Sequence, residues 1–151
     1  MLAATQCHAK DKKPRAPEPS TCTTTALFCF TSLDWVDSKS TVYGIFENRS
    51  TVPVSSLTFT FAMTRTDNGL IVGSAIGSLS VVVPPGGKAE VAAMVITVEK
   101  YTYGFVINSV NVQAIILVNQ QPALREGNVA VYPPLFNNIW ARHAWNKANG
   151  Y

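Results

Sequence analysis

The sequence predicts an all-β chain: an antiparallel β-sandwich with a Pro-rich N-terminal arm and a short C-terminal amphipathic helix. Three observations carry that expectation. Between Thr41 and Val98, runs rich in Val, Ile, Phe and Thr are separated by Asn48-Arg49-Ser50, Asp67-Asn68-Gly69 and Pro84-Pro85-Gly86-Gly87, the punctuation of hairpin-connected strands. The run Ser56 to Thr64 alternates strictly, with Leu57, Phe59, Phe61 and Met63 on one side and hydroxyl or small residues on the other, the pattern of a half-buried strand. A length of 151 residues, 47% of them hydrophobic and only 14% charged, suffices for one core and argues against disorder. The expected organisation is a polar arm over 1–22, a sandwich over 23–132 and a helical segment over 133–151 docked on it.

In chain order, Pro14, Pro17 and Pro19 fall within six residues and favour extended polyproline backbone over helix or ladder. Such an arm is a tether, or a strap onto a neighbouring subunit. Thr23 to Trp35 supplies the first strand or two, and Asp37 to Ser40 the turn after it. Thr41 to Asn48 is a strand whose central Gly44 marks a bulge or a place where an aromatic ring covers bare backbone. After the Ser56–Thr64 strand, Asn68-Gly69 is expected to supply the positive φ angles of a tight hairpin turn. Leu70 to Val83 is too long for one flat strand and should bend at Gly73 and Gly77, before Pro84-Pro85-Gly86-Gly87 turns the chain again.

Val91, Ala93 and Val95 then alternate inward with Ala92 and Met94 outward, a pattern blurred by Ile96 and Val98. Tyr101 to Asn119 reads as the last long strand or a hairpin. It carries Val110, Val112, Ala114, Ile116 and Val118 on one face and Ile115 and Leu117 on the other, so the C-terminal segment is expected to cover its second face. Gln120 to Gly127 is expected to be a loop, Asn128 to Tyr132 a short strand, and Pro133-Pro134 the start of a helix from Leu135 to about Ala148. On a helical wheel Leu135, Phe136, Ile139, Trp140, His143 and Ala144 share one half, with Asn138, Arg142 and Trp145 elsewhere. His143 is therefore read as a packed histidine rather than a ligand, and Trp145, left off the apolar arc, as the foremost partner contact, with Trp140 and Arg142 beside it.

Charge and cysteines narrow the function classes. The net charge of +3 sits at the ends: residues 1–20 and 133–151 each sum to +2, and the body holds six basic and seven acidic residues. Four cations diluted by two acids make a weak electrostatic footprint, so nucleic acid is not an expected partner. Of Cys7, Cys22 and Cys29, the last lies in an apolar run and reads as a small buried hydrophobe. Cys7 and Cys22 are free to pair in an oxidising compartment. Cys7, His8 and Cys22 lack the paired spacing of a zinc site, so no metal is expected.

No apolar run approaches twenty residues, and the first seven residues contain no leader-like stretch. The chain is thus either not exported or lacks a leader already removed. No constellation for catalysis emerges. The acids are scattered among turns and strand ends, the closest pair being Asp34 and Asp37 around Trp35, and no nucleophile elbow or phosphate loop is present. The expectation is a non-enzyme without cofactor or small-molecule substrate.

Thr41 to Val98 resembles the FxLYD-type domain, an immunoglobulin-like or fibronectin-III-like sandwich of bacterial envelope proteins. The matching residues are Val42-Tyr43-Gly44-Ile45-Phe46-Glu47-Asn48, the alternating strand to Met63, Asp67-Asn68-Gly69 with Leu70 to Gly73 after it, and Val83-Pro84-Pro85-Gly86-Gly87. The name-giving motif survives only as Phe61-Ala62-Met63-Thr64, with Arg65 and Thr66 inserted before the turn. The resemblance implies an accessory module without catalytic residues. The expected function is a protein-interaction or structural module of an envelope assembly, located outside the cytoplasm. The alternative is a viral or phage structural protein whose arm contacts neighbouring subunits. Asn48-Arg49-Ser50 is also a glycosylation sequon, relevant only on a eukaryotic secretory route.

Overall fold

Hydrophobic periodicity of two dominates the described residues, and eight strands among them follow from it. The computed structural model describes residues 14–23, 27–97 and 105–151. The strands are β1 (Thr21–Cys22), β2 (Phe28–Val36), β3 (Thr41–Asn48), β4 (Val54–Arg65), β5 (Ile71–Leu79), β6 (Lys88–Thr97), β7 (Phe105–Val118) and β8 (Gln121–Phe136). Among the described residues a 3-10 turn, Asp37–Lys39, joins β2 to β3, and a helix, α1 (Ile139–Ala148), precedes the last three residues. Cys7, His8, Val98, the start of the strand expected from Tyr101, and most of the arm lie outside the described residues.

All neighbouring strands are antiparallel, in the order β1-β2-β3-β6-β5-β4-β7-β8. The all-β class is therefore as expected, but the eight strands form one continuous sheet rather than two separate ones. The reason is local: β4 and β5 are joined by five residues, Thr66 to Leu70, and pair from Thr64↔Ile71 to Leu57↔Leu79. So short a connection cannot carry the chain across to an opposed sheet. Ser20 and Tyr132 exchange backbone hydrogen bonds of 3.2 and 3.1 Å, so β1 reaches β8 and the sheet nearly closes into a barrel. The tail of the expected arm is thereby part of the body: Pro19 is buried and its carbonyl accepts from the Leu33 N–H.

The inward face matches the alternation in the sequence. Leu57, Phe59, Phe61 and Met63 are buried, as are Val91, Ala93, Val110, Val112, Ala114 and Ile116. Phe30 sits at the centre, with ring centroids 5.1 Å from Phe59, 5.5 Å from Phe46 and 6.1 Å from Phe61, tilted and edge-on contacts that aromatic quadrupoles favour. Val42, Gly44, Phe46 and Asn48 all point into this core from β3. Gly44 lies opposite an irregularity of β2 between Thr31 and Asp34, as the bulge expectation had it, and is covered by the aliphatic Leu33; Gly77 is the position that an aromatic ring, Phe59, covers.

Turn chemistry departs from expectation in three places. Only Gly69, at φ +70°, adopts positive φ in the Asp67-Asn68-Gly69 turn, because the loop is four residues long and closed by the Arg65 N–H on Leu70 O. Leu70–Val83 is not one bent strand, since β5 stops at Leu79. Gln120 to Gly127 is not a loop: Asn119 and Gln120, both at positive φ, form a two-residue hairpin turn, and the residues after it pair with β7 throughout. The C-terminal segment thus extends the sheet beside β7 instead of covering its face. The Tyr132–Pro133 peptide is cis, and Leu135 and Phe136 belong to β8.

The disulfide also differs from the expected pairing. Cys22 bonds to Cys29, its direct cross-strand neighbour with Cα atoms 4.0 Å apart. The reason is a hairpin at the start of the stretch expected to hold the first strand or two: Leu27, at φ +56°, helps turn the chain so that residues seven apart face each other. A non-reducing tryptic digest is expected to place Cys22 and Cys29 in one peptide, residues 16–39, lacking two hydrogens, because no Lys or Arg lies between Ala16 and Ser38. A cross-linked pair of peptides containing Cys7 would contradict this connectivity.

Candidate functional site

Strand alternation sends every second residue of β3, β5 and β6 away from the core. On these strands the outward set is itself apolar. Met94 lies between Thr41 and Ile76, Ala92 lies beside Tyr43, and Ile96 beside Ser74. Met94 is 67% exposed, Ile96 54%, Ile76 42% and Tyr43 38%, which makes the centre of this face a contiguous apolar patch rather than scattered surface hydrophobes. Lys39 approaches the Tyr43 ring to 6.0 Å and marks its polar rim. The irregularity in the β6 pattern was the readable signal: Ile96 belongs to the outer face, and its apolar character is surface rather than core.

The second region is α1. Asn138 caps it, its Oδ1 accepting from the Trp140 and Ala141 N–H groups at 2.8 and 3.3 Å. An N-cap of this kind fixes the start of a helix, which is why α1 begins at Ile139 and not at Leu135. The wheel is correspondingly reversed. No residue of α1 is buried; Ile139 and Trp140 are 62% and 78% exposed, and His143 and Ala144 face solvent. Trp145 instead is half-buried, edge-on to Tyr132 at 5.6 Å and stacked with Tyr151 at 6.1 Å.

Gly150, at φ +83°, returns the chain so that the Tyr151 N–H donates to Asn146 O at 2.9 Å. Helix docking was thus decided by two tyrosines distant from the helix wheel. The Tyr151 hydroxyl, 3.5 Å from that of Tyr132, raises the Tyr132 phenol above its ordinary value, with desolvation adding to the shift. Of the three residues expected to meet a partner, Trp140 and Arg142 are exposed and Trp145 is engaged within the fold.

The remaining polar features are structural. Asn48, fully buried, donates through Nδ2 to Val52 O (2.8 Å) and Val83 O (3.0 Å) and accepts at Oδ1 from the Ser50 N–H and hydroxyl. The side chain of the sequon is therefore inaccessible in the folded chain. Arg49 and Arg65 hold the Glu47 and Asp67 carboxyls below their ordinary values through hydrogen bonds at the surface. Among the described residues His, Cys, Asp and Glu nowhere gather in threes, and no helix is long and apolar enough to cross a membrane.

Two clefts flank the seam that Ser20 and Tyr132 close. One, of about 360 Å³, is lined by Leu27, Val118 and Arg125, with the buried Phe28 and Ile116 at its floor. The other, of about 160 Å³, lies where Trp35 of β2 faces the β8–α1 junction, with Arg142 on its wall. No known family's profile matches this chain, and no curated protein is significantly similar to it.

Proposed function

We propose that the protein is a non-catalytic interaction or structural module of an extracytoplasmic, envelope-associated assembly, related in architecture to immunoglobulin-like sandwiches of the FxLYD type. The observation that carries the reading is the apolar outer face of β3, β5 and β6, around Met94 and Ile96. Contiguous exposed apolar surface in the middle of a sheet is stabilised by covering it with another protein surface. Trp140 and Arg142, exposed on α1, are residue types enriched where partners bind.

Strand order supports the architectural part. With β2 to β8 lettered A to G, β2-β3-β6-β5 reads A-B-E-D and β4-β7-β8 reads C-F-G, the two sheets of an immunoglobulin constant-type domain. Here they are fused through the β4–β5 ladder. The Cys22–Cys29 disulfide supports an oxidising compartment outside the cytoplasm.

The test is hydrodynamic. The unaltered chain is expected to sediment as an oligomer, or with a copurifying envelope partner. Met94→Lys combined with Ile96→Lys should return it to a monomer with an unchanged melting temperature. Trp140→Ala should weaken association without affecting stability, whereas Trp145→Ala should lower stability by about 1–2 kcal/mol through loss of its two ring contacts. A monomer in every case, with no partner retained, would sink the reading. Large closed particles would move it to the virion alternative.

A further inference from the structure

We infer that the open edge of β8, from Leu124 to Asn128, and the apolar cleft beside it form a groove that accepts an extended segment of a partner protein, one carrying an apolar residue and, two positions on, an acid. The edge follows from strand parity. Tyr132 exchanges backbone hydrogen bonds with Ser20, and the Ala130 carbonyl accepts from the Thr21 hydroxyl, so the even-numbered residues of β8 turn their N–H and C=O groups away from β7. β1 and the residues flanking it cover this edge only in part: a Cβ at Gly127 would meet Thr23 Cγ2 at 3.6 Å. Past that point the N–H groups of Leu124, Glu126 and Asn128, and the carbonyls of the last two, have no hydrogen-bond partner among the described residues. A row of unpaired strand groups is a template for pairing with another chain.

Where the cover of β1 stops, the seam opens into the cleft of about 360 Å³, with Leu27, Val52, Val118 and Arg125 around it and the core residues Phe28 and Ile116 beneath. A strand laid along β8 sends every second side chain over that floor. Ladder bonds on one side and an apolar recess below are how a sheet takes up a further strand, the first giving affinity and the second specificity.

Arg125 defines the rest of the sequence. It makes no ion pair among the described residues, and its Nη1 donates to Leu124 O, on its own strand, at 3.0 Å. An N–H of the incoming strand replaces it there, which frees the guanidinium for a carboxylate on the same face as the apolar side chain, hence two residues from it. A charge held over an edge deters unselective pairing, so the acid is what marks the accepted segment. This groove is distinct from the outer face of β3, β5 and β6, and the two stand or fall separately.

The experiment follows the backbone amide resonances of Leu124, Glu126 and Asn128 in the full chain while acetyl-Ser-Val-Thr-Leu-Ser-Glu-Ser amide is added. All three are expected to shift saturably, and hydrogen exchange at Glu126 and Asn128 to slow at least about tenfold. N-methylation of the peptide's threonine removes a ladder donor and should weaken binding at least about tenfold, as should replacing its valine and leucine by serine. Exchanging its glutamate for glutamine should weaken binding about three- to tenfold, a preference that Arg125→Gln, at an exposed position, should abolish. Met94→Lys combined with Ile96→Lys should bind the peptide as the unaltered chain does.

Three results overturn the groove: shifts that do not saturate, equal binding of the N-methylated peptide, or a glutamate preference that survives Arg125→Gln. If exchange at the three amides is instead already slow in the free chain and slows further with its concentration, a second copy occupies the edge, and the assignment to a partner's segment is overturned.

Discussion

Asn48→Asp is expected to lower the unfolding free energy by about 3–6 kcal/mol, the largest effect of any single polar replacement among the described residues. The amide Nδ2 is the donor to two carbonyls, Val52 O and Val83 O, which belong to the β3–β4 connection and to the segment before the Pro84–Gly87 turn. The backbone of the same residue exchanges bonds with that turn, its N–H donating to Gly87 O at 2.9 Å and its carbonyl accepting from the Gly86 N–H at 2.7 Å. Aspartate keeps the shape and reverses the chemistry. An acceptor then faces two acceptors, at a position with 0% exposure.

The loss should grow with pH. Burial against two carbonyl oxygens raises the folded-state pKa of the new carboxyl above its unfolded value. The unfolded chain then ionises first as pH rises, and stability falls between the two pKa values. Urea unfolding at pH 4 and pH 8 measures both effects. A deficit below about 1 kcal/mol, or one that shrinks with pH, would show that Asn48 is not the clasp between the two turns.

Gly77→Ala is expected to cost about 2–4 kcal/mol, although it adds one methyl group to a strand. A Cβ there would lie 2.4 Å from Phe59 Cζ and 2.5 Å from Ala92 O. Gly77 does not adopt positive φ, so the cost is steric and not torsional. Phe59 is 1% exposed and packed against Phe30 and Phe61, which leaves the ring no vacant direction. In a double-mutant cycle, Phe59→Leu should recover part of the loss but not all of it, because the Ala92 carbonyl is backbone and cannot withdraw. Full additivity in thermal melts would exclude the contact. Gly44 is the useful contrast: its Cβ would meet the end of the buried Leu33 side chain at 2.8 Å and a backbone oxygen only at 3.4 Å, so Gly44→Ala should be the milder change.

These two positions show where sequence reasoning reached its limit. The spacing Val42, Gly44, Phe46, Asn48 was readable as one face of a strand, and the structure puts all four inside. What those residues touch was not readable. The glycine beneath an aromatic ring proved to be Gly77, since that pairing depends on the register Phe59↔Gly77 across two strands. Likewise Cys29 was correctly placed in the core, but its disulfide partner depends on a hairpin around Leu27 that β-propensity alone does not reveal.

The candidate site was legible in the same uneven way. Arg142 was already off the apolar arc of the helical wheel, whereas Trp140 was on it, and its exposure became identifiable only with the structure of α1, whose start depends on the Asn138 cap. Trp145, stranded on a helical wheel, is held because Tyr132 and Tyr151 come to it from outside the helix. The apolar outer face of β6 was visible as an irregular alternation, but only pairing with β3 and β5 shows that Met94 and Ile96 adjoin Ile76 and Tyr43.

By itself, then, the sequence determined the class of structure. Period-two hydrophobicity and turn residues act locally, and they suffice to choose strands, their inward faces and most turns. Tertiary structure decided the closure of the sheet, the disulfide, the docking of α1 and the clefts along the seam. Each of these depends on groups far apart in the chain meeting in one register, a condition no local periodicity encodes. Trp35 and Arg142, 107 positions apart in the sequence, come to line one cleft in this way.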